Sequence, residues 1–208
     1  MNGIYAITPP SKNINIILEE TKRLLDEGVL IFQYREKNIK STEIAENAFK
    51  LLELIKKNNG TLIINDSPQI AMEIGADGFH LGQEDYSNNK MQKFLKEHQE
   101  TLNQDYIKGI SCKWDLEFIS NLPEDIIFWD YIAVGAFYSS STKKNALVNE
   151  TVDRKKPFSL SNKHIVAIGG IDHLNFKEVL SIGYETIAMS SGVFFNQNSY
   201  RILNYFKE

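Results

Sequence analysis

Short apolar runs alternate with longer amphipathic segments along most of this chain. The runs are rich in β-branched and aromatic residues, as expected of buried strands, and eight are found: 3–8, 30–36, 61–66, 78–82, 107–112, 131–138, 164–169 and 186–193. Between most of them, apolar residues recur at helical spacing, as in 14–25 and 44–55. The alternation predicts eight β-α units.

Eight β-α units predict an α/β chain folded as a single closed (β/α)8 TIM barrel over residues 1–208. No Pro/Ser-rich linker or low-complexity run divides the sequence into two domains. The segments 86–106 and 114–128 are polar and irregular, so an open doubly wound sheet is the competing topology.

Composition narrows the choice of partners. The net charge of −4, with Lys scattered among acidic residues and Asn, provides no basic surface for nucleic acid. No apolar run approaches the roughly 18 residues that cross a bilayer, so no membrane partner is expected. The single Cys112 excludes an internal disulfide, and the first residues show no signal segment, which together favour a cytoplasmic location. The sequence does not indicate an oligomeric state.

Polar groups are concentrated where five of the predicted strands end, at 33–37, 65–66, 82–85, 140–143 and 169–170. In a barrel these carboxyl ends form one face, where ligands bind. Arg and Lys suit phosphate oxygens, carboxylates suit Mg²⁺, and Gly permits close backbone approach. The pattern predicts a site for a magnesium-bound pyrophosphate.

Gln33, Arg35 and Lys37 alternate, so they are expected on one face of an extended strand. Two cations on one face indicate an anionic ligand, although a structural layer of ion pairs is the alternative.

Asp66 and Asp85 follow adjacent strands and could lie on either side of one Mg²⁺. Asp66 could instead cap the helix that follows it, which is the favoured interpretation of that residue taken alone. Glu84 and Asp77 compete with Asp85 as the second ligand.

Three segments predict contacts with phosphate. The glycine pair 169–170 and the Ser-Ser-Gly sequence at 190–192 follow strands seven and eight, where barrels often hold phosphate. The stretch 139–160 begins with hydroxyl groups followed by Lys143, and it is predicted to close over substrate; a disordered surface loop is the alternative. His80 is interpreted as a core side chain and not as a base.

In order and spacing these segments resemble the thiamine phosphate synthase family, a family of (β/α)8 enzymes. The chain has QYREK at 33–37, ND at 65–66, HLGQED at 80–85, GIS at 109–111, SSTK at 140–143, GGI at 169–171 and SS at 190–191. The resemblance implies a Mg²⁺-dependent transferase that joins hydroxymethylpyrimidine pyrophosphate to hydroxyethylthiazole phosphate, giving thiamine phosphate and pyrophosphate.

The resemblance also implies three sets of site residues. Those implied for the pyrimidine pyrophosphate are Gln33, Tyr34, Arg35, Glu36, Lys37, Asn65, Ser111 and Lys143, of which Arg35, Lys37, Ser111 and Lys143 are the catalytic group. Those implied for the thiazole phosphate are Ser140, Ser141, Thr142, Gly170, Ser190 and Ser191. Asp66 and Asp85 are implied as the ligands of Mg²⁺.

The chain departs from the family pattern at four positions: Ser140 replaces the usual Thr, Ser67 the usual Arg, Ala136 the usual Pro, and Lys113 a common His. The last departure counts against a thiazole tautomerase, because the resemblance implies a His there in those enzymes. The alternatives are an isomerase like the related thiazole tautomerases, or a non-catalytic protein that binds a phosphorylated ligand.

Overall fold

The computed structural model describes residues 3–11, 13–37, 40–139 and 152–207. Eight parallel strands follow one another in chain order around a closed barrel, and β8 pairs with β1. This confirms the predicted (β/α)8 barrel and excludes the open doubly wound sheet.

The strands are β1 (Gly3–Ile7), β2 (Ile31–Tyr34), β3 (Thr61–Asn65), β4 (Gly78–Gly82), β5 (Ile107–Ser111), β6 (Tyr131–Val134), β7 (His164–Ile168) and β8 (Thr186–Met189). The helices are α1 (Ile14–Asp26), α2 (Ser41–Lys57), α3 (Pro68–Ile74), α4 (Gln83–Tyr86), α5 (Asn89–Glu97), α6 (Gln99–Asp105), α7 (Leu116–Ser120), α8 (Lys156–Leu160), α9 (Phe176–Ile182) and α10 (Tyr200–Tyr205). In the described part of the chain, no helix is long and apolar enough to span a membrane.

The apolar residues form two cores, one on each side of the barrel wall. The larger core lies between the sheet and the helices and includes Phe32 and Tyr34. The smaller core fills the barrel and includes Tyr5, Ile63 and Tyr131. Because successive residues of a strand point to opposite faces, Gln33 lies between two outward-facing neighbours and is itself buried inside the barrel, 2% exposed.

Seven of the eight predicted strands extend too far at their carboxyl ends. The run predicted over 131–138 pairs only as far as Val134, and the run over 186–193 only as far as Met189. Phe137 and Val193 are fully buried beyond the paired segments, so their apolar character reflects packing of the loops and not strand pairing. The polar segment 86–106 contains α5 and α6, which bury Leu95 and Leu102.

Charged groups also stabilise the end of the barrel opposite the predicted site. Asp77 precedes β4, pairs with Lys56 and accepts a hydrogen bond from the backbone N–H of Leu62 at 2.8 Å. Asp77 therefore lies at the amino ends of the strands, and the suggestion that it is a metal ligand is wrong.

Candidate active site

The first residues of the QYREK segment point to opposite sides of β2. The amide nitrogen of Gln33 donates a 2.8 Å hydrogen bond to Tyr5 Oη inside the barrel. Tyr34 lies in the outer core, where its hydroxyl bonds Asn47 of α2 and burial raises its pKa to about 12. Alternation therefore turns the Tyr34 side chain away from the barrel interior and towards α2, and the implied place of Tyr34 in the substrate site stays a prediction.

Beyond Tyr34 the chain enters the loop that follows β2. The backbone N–H of Arg35 donates to Thr8 Oγ1 at 2.9 Å. The Glu36 carboxylate accepts from the backbone N–H groups of Ser11, at 3.1 Å, and of Lys37, at 2.8 Å. Glu36 thus joins the loops after β1 and β2. The paired part of β2 ends at Tyr34, before Arg35 and Lys37, so the shared face of residues 33, 35 and 37 stays a prediction.

Lys37 and Asp66 form an ion pair at the mouth of the barrel, with Nζ 2.7 Å from Oδ2. Asp66 directly follows β3 in a left-handed conformation, with φ of 61°, and its backbone N–H donates to the carbonyl of His80 at 2.8 Å. Its carboxylate does not cap α3, since Ser67 Oγ accepts from the N–H of Ile70 at 3.2 Å. The capping interpretation of Asp66 is therefore wrong, and the carboxylate is directed to Lys37.

Asp85 lies beside Asp66, on the short helix α4 and not on an extended strand. Burial, followed by the negative charge of Asp66, raises the pKa of Asp85, whereas the nearby Lys37 ammonium opposes the shift. Glu84 is directed to solvent and pairs with Lys113 at 3.2 Å. Of the three carboxylates that compete as partner of Asp66, the structure brings Asp85 to it.

The donor set at this place consists of two carboxylates. Within the described residues, no group of three or more His, Cys, Asp and Glu side chains is arranged to hold a metal ion. The pair of Asp66 and Asp85 suits a hard cation that takes its remaining ligands from phosphate oxygens and water, as Mg²⁺ usually does. A cation between them would also relieve the repulsion that raises the pKa of Asp85.

Asn65 ends β3 and Ser111 ends β5, so both lie at the same face as the carboxylates. Ser111 Oγ is 2.7 Å from His80 Nε2. His80 is buried as the sequence predicted, 4% exposed, but it also contacts a predicted site residue.

The loops after β7 and β8 approach each other and the loop after β6 closely. A Cβ at Gly170 would lie 2.5 Å from the carbonyl oxygens of both Tyr138 and Ser139, and φ there is +66°. Gly192 similarly lies against the carbonyl of Ile171, where a Cβ would not fit. Only glycine meets both the conformation and the space at position 170.

Ser190 Oγ, at the end of β8, is buried and has no hydrogen-bond partner among the described residues. Ser191 is next in the chain and exposed. A buried hydroxyl is rarely left without a partner, so Ser190 suits a ligand that supplies an acceptor.

Sequence reasoning missed Asn175, which braces the loop after β7. Its amide nitrogen donates to the carbonyl of Gly170 at 3.0 Å, and its amide oxygen accepts from the N–H of Asp172 at 2.9 Å. An Asn a few residues after a glycine pair is the signal that could have found it, because its side chain can hold the backbone of a turn.

Ser140, Ser141, Thr142 and Lys143 lie outside the described residues, so their assignment stays a prediction. Phe137 precedes this segment and Arg154 follows it. The Arg154 guanidinium donates to the Phe137 carbonyl and to the Glu178 carboxylate, each at 3.2 Å.

A family model and the relatives found by sequence indicate one family. A family model described as thiamine monophosphate synthase matches residues 4–193. A thiamine-phosphate synthase of Nitrosospira multiformis is 35% identical over 195 residues, which are 93% of this chain and 79% of that protein. One of Nitrosomonas eutropha is 32% identical over 211 residues, covering 100% of this chain and 94% of its own.

Among solved structures, a thiamine phosphate pyrophosphorylase from Pyrococcus furiosus superposes with a TM-score of 0.77 at 23% identity, covering 99% of this chain and 93% of that one. This likeness supports the barrel fold. The extent of the family match and the identity to both relatives show that the chain belongs to the thiamine monophosphate synthase family.

Proposed function

We propose that the protein transfers the pyrimidine methylene group of hydroxymethylpyrimidine pyrophosphate to the ring nitrogen of hydroxyethylthiazole phosphate, giving thiamine phosphate and pyrophosphate. The family and its transferase relatives support this reaction. The observation that carries the proposal is the group formed by Lys37, Asp66 and Asp85 at the mouth of the barrel. The two carboxylates can bind a divalent metal, and the lysine ammonium can bind the phosphate oxygens of a polyanion that arrives with that metal.

Asp66 and Asp85 would hold Mg²⁺. When bound, the metal would neutralise charge on the pyrophosphate that leaves. Lys37, whose ammonium already lies at Asp66, would contact the same phosphate oxygens. Arg35 is suited to join it, since no hydrogen-bond or ion-pair partner of its guanidinium is found in the described part of the chain.

The chain's own groups would act chiefly by positioning and electrostatics. Gln33 and Ser111 would orient the pyrimidine ring, while Lys37 and Arg35 stabilise the negative charge that develops as the carbon–oxygen bond breaks. Gly170 and Ser190 would hold the phosphate of the thiazole, so that its ring nitrogen lies close to the methylene carbon. That nitrogen attacks through its lone pair and loses no proton, and therefore no general base is required.

The test is incubation of the protein with both phosphorylated precursors and Mg²⁺, with detection of thiamine phosphate by fluorescence after oxidation. We expect product that disappears with a chelator and returns with added Mg²⁺. Asp66→Asn should abolish product, whereas Asp77→Asn, a carboxylate change at the opposite end of the barrel, should leave it. Absence of product from folded wild-type protein would refute the reaction, and chelator-resistant product would refute the role of the metal.

A further inference from the structure

A line of hydrogen bonds crosses the interior of the barrel from β2 to β5. Gln33 Nε2 donates to Tyr5 Oη at 2.8 Å, Tyr5 Oη lies 2.9 Å from Tyr131 Oη, and Tyr131 Oη lies 3.0 Å from His80 Nδ1. His80 Nε2 is 2.7 Å from Ser111 Oγ. We refer to these five side chains as the relay. Its two ends are residues assigned above to the pyrimidine.

The sequence makes room for the relay at one position. A Cβ on Gly109 of β5 would overlap the ring of Tyr131, which is fully buried. The ring therefore fills the space beside Gly109, where it stacks on His80 with 23° between the planes and 5.5 Å between centroids. Tyr5 meets the same ring edge to face at 5.9 Å. The middle of the relay is thus held by packing on both sides.

One direction of hydrogen bonding along the relay starts at the Gln33 amide nitrogen. The Gln33 amide nitrogen donates to Tyr5 Oη, and in one of the two directions open to the pair of hydroxyls Tyr5 donates its own proton to Tyr131 Oη. Tyr131 then donates to His80 Nδ1. Burial raises the pKa of both tyrosines, so both hydroxyls keep their protons.

A neutral imidazole that accepts at Nδ1 carries its proton on Nε2. With that tautomer, His80 donates to Ser111 Oγ, and the Ser111 hydroxyl proton is available for a ligand at the mouth of the barrel. A relay that runs in this direction presents Ser111 as a hydrogen-bond donor.

We propose that Tyr5, Tyr131 and His80 are positioning residues that hold Gln33 and orient the Ser111 hydroxyl as a donor towards an acceptor nitrogen of the pyrimidine ring. This inference rests on the proposed function and adds to it a determinant of ring recognition. The relay does not include the groups at the pyrophosphate, so it should affect the ring and not the phosphates.

Tyr131→Phe and Tyr5→Phe test the proposal, because each removes one hydroxyl and keeps the ring. Each should weaken the binding of pyrimidine pyrophosphate with Mg²⁺ by about tenfold, the effect of one lost buried hydrogen bond. Binding of inorganic pyrophosphate with Mg²⁺, measured by calorimetry in the same way, should be unchanged. The double variant should bind about as well as either single one, since one broken link already interrupts the relay.

Thr186→Val is the matched control. It removes another contact between a hydroxyl and a His, the partly buried one from Thr186 Oγ1 to His164 Nε2 at 2.8 Å, at the amino ends of the strands. Thr186→Val should leave the ratio of the dissociation constants for pyrimidine pyrophosphate and inorganic pyrophosphate at the wild-type value, whatever its effect on thermal stability. An unchanged ratio in both tyrosine variants, or losses that multiply in the double variant, would overturn the proposal.

The direction of the relay can be tested on the wild-type protein, so this test does not depend on the folding of a variant. Nitrogen NMR of the His80 ring should show a protonated Nε2 and an unprotonated Nδ1, and the opposite tautomer would overturn the stated direction of the relay. Wild-type protein that shows this tautomer but neither binds pyrimidine pyrophosphate nor forms product would refute the proposed function and the role of the relay in binding the pyrimidine, whereas the direction of the hydrogen bonds would stand.

Discussion

Replacement of Gly170 by Ala tests the phosphate-binding loop most directly. The change places a β-carbon 2.5 Å from two carbonyl oxygens, where ordinary contacts begin at 3.4 Å, so the loop after β6 must retreat by about 0.9 Å. We expect a destabilisation of about 1–2 kcal/mol from the left-handed backbone and a further 1–3 kcal/mol, roughly, from overpacking. A displacement of this size at a ligand-binding loop should raise KM for the thiazole phosphate by about 10- to 100-fold.

Gly75→Ala separates the two effects. Gly75 ends α3 with φ of +70°, close to the +66° of Gly170, but no atom lies within 4 Å of the added carbon. Gly75→Ala should therefore lower Tm by about 4 °C and Gly170→Ala by about 10 °C, and only Gly170→Ala should change KM for the thiazole phosphate. Thermal denaturation and steady-state kinetics supply both values. Equal losses in Tm, with KM unchanged in both variants, would refute the reasoning.

Three further variants address neighbouring groups. The raised pKa of Asp85 means that ionisation of its carboxyl opposes folding. Asp85→Asn should therefore raise the Tm of the metal-free protein at pH 7, and raise it by less at pH 4.5, and a larger gain at the lower pH would contradict this. The same variant should form no Mg²⁺-dependent product. Ser190→Ala should leave Tm at or above wild type and raise KM for the thiazole phosphate about tenfold, whereas a lower Tm would indicate that the hydroxyl already has a partner. Asn175→Ala should destabilise the protein by about 1–2 kcal/mol and raise KM for the thiazole phosphate alone, which kinetics with each substrate varied would check.

The order of elements could be predicted because buried parallel strands and amphipathic helices leave different periodicities in the sequence. The positions where strands end could not be predicted, because Phe137 and Val193 are as buried in loops as they would be in strands. The sequence predicted that Asp66 and Asp85 lie together. It did not predict that Asp85 lies on a helix, because that helix is only four residues long. The relay could not be predicted from the sequence, because its hydrogen bond between Tyr5 and Tyr131 joins residues 126 positions apart.

The ion pair between Lys37 and Asp66 has a consequence for the order in which ligands bind. Before substrate arrives, Lys37 is the counter-ion of a carboxylate that the proposed metal also needs. Free Mg²⁺ must then compete with an ammonium group, whereas a metal–pyrophosphate complex offers that ammonium a new anionic partner as it delivers the cation. On the proposed function, metal and pyrophosphate should therefore bind synergistically, each tightening the other, through an exchange of counter-ions at a single lysine.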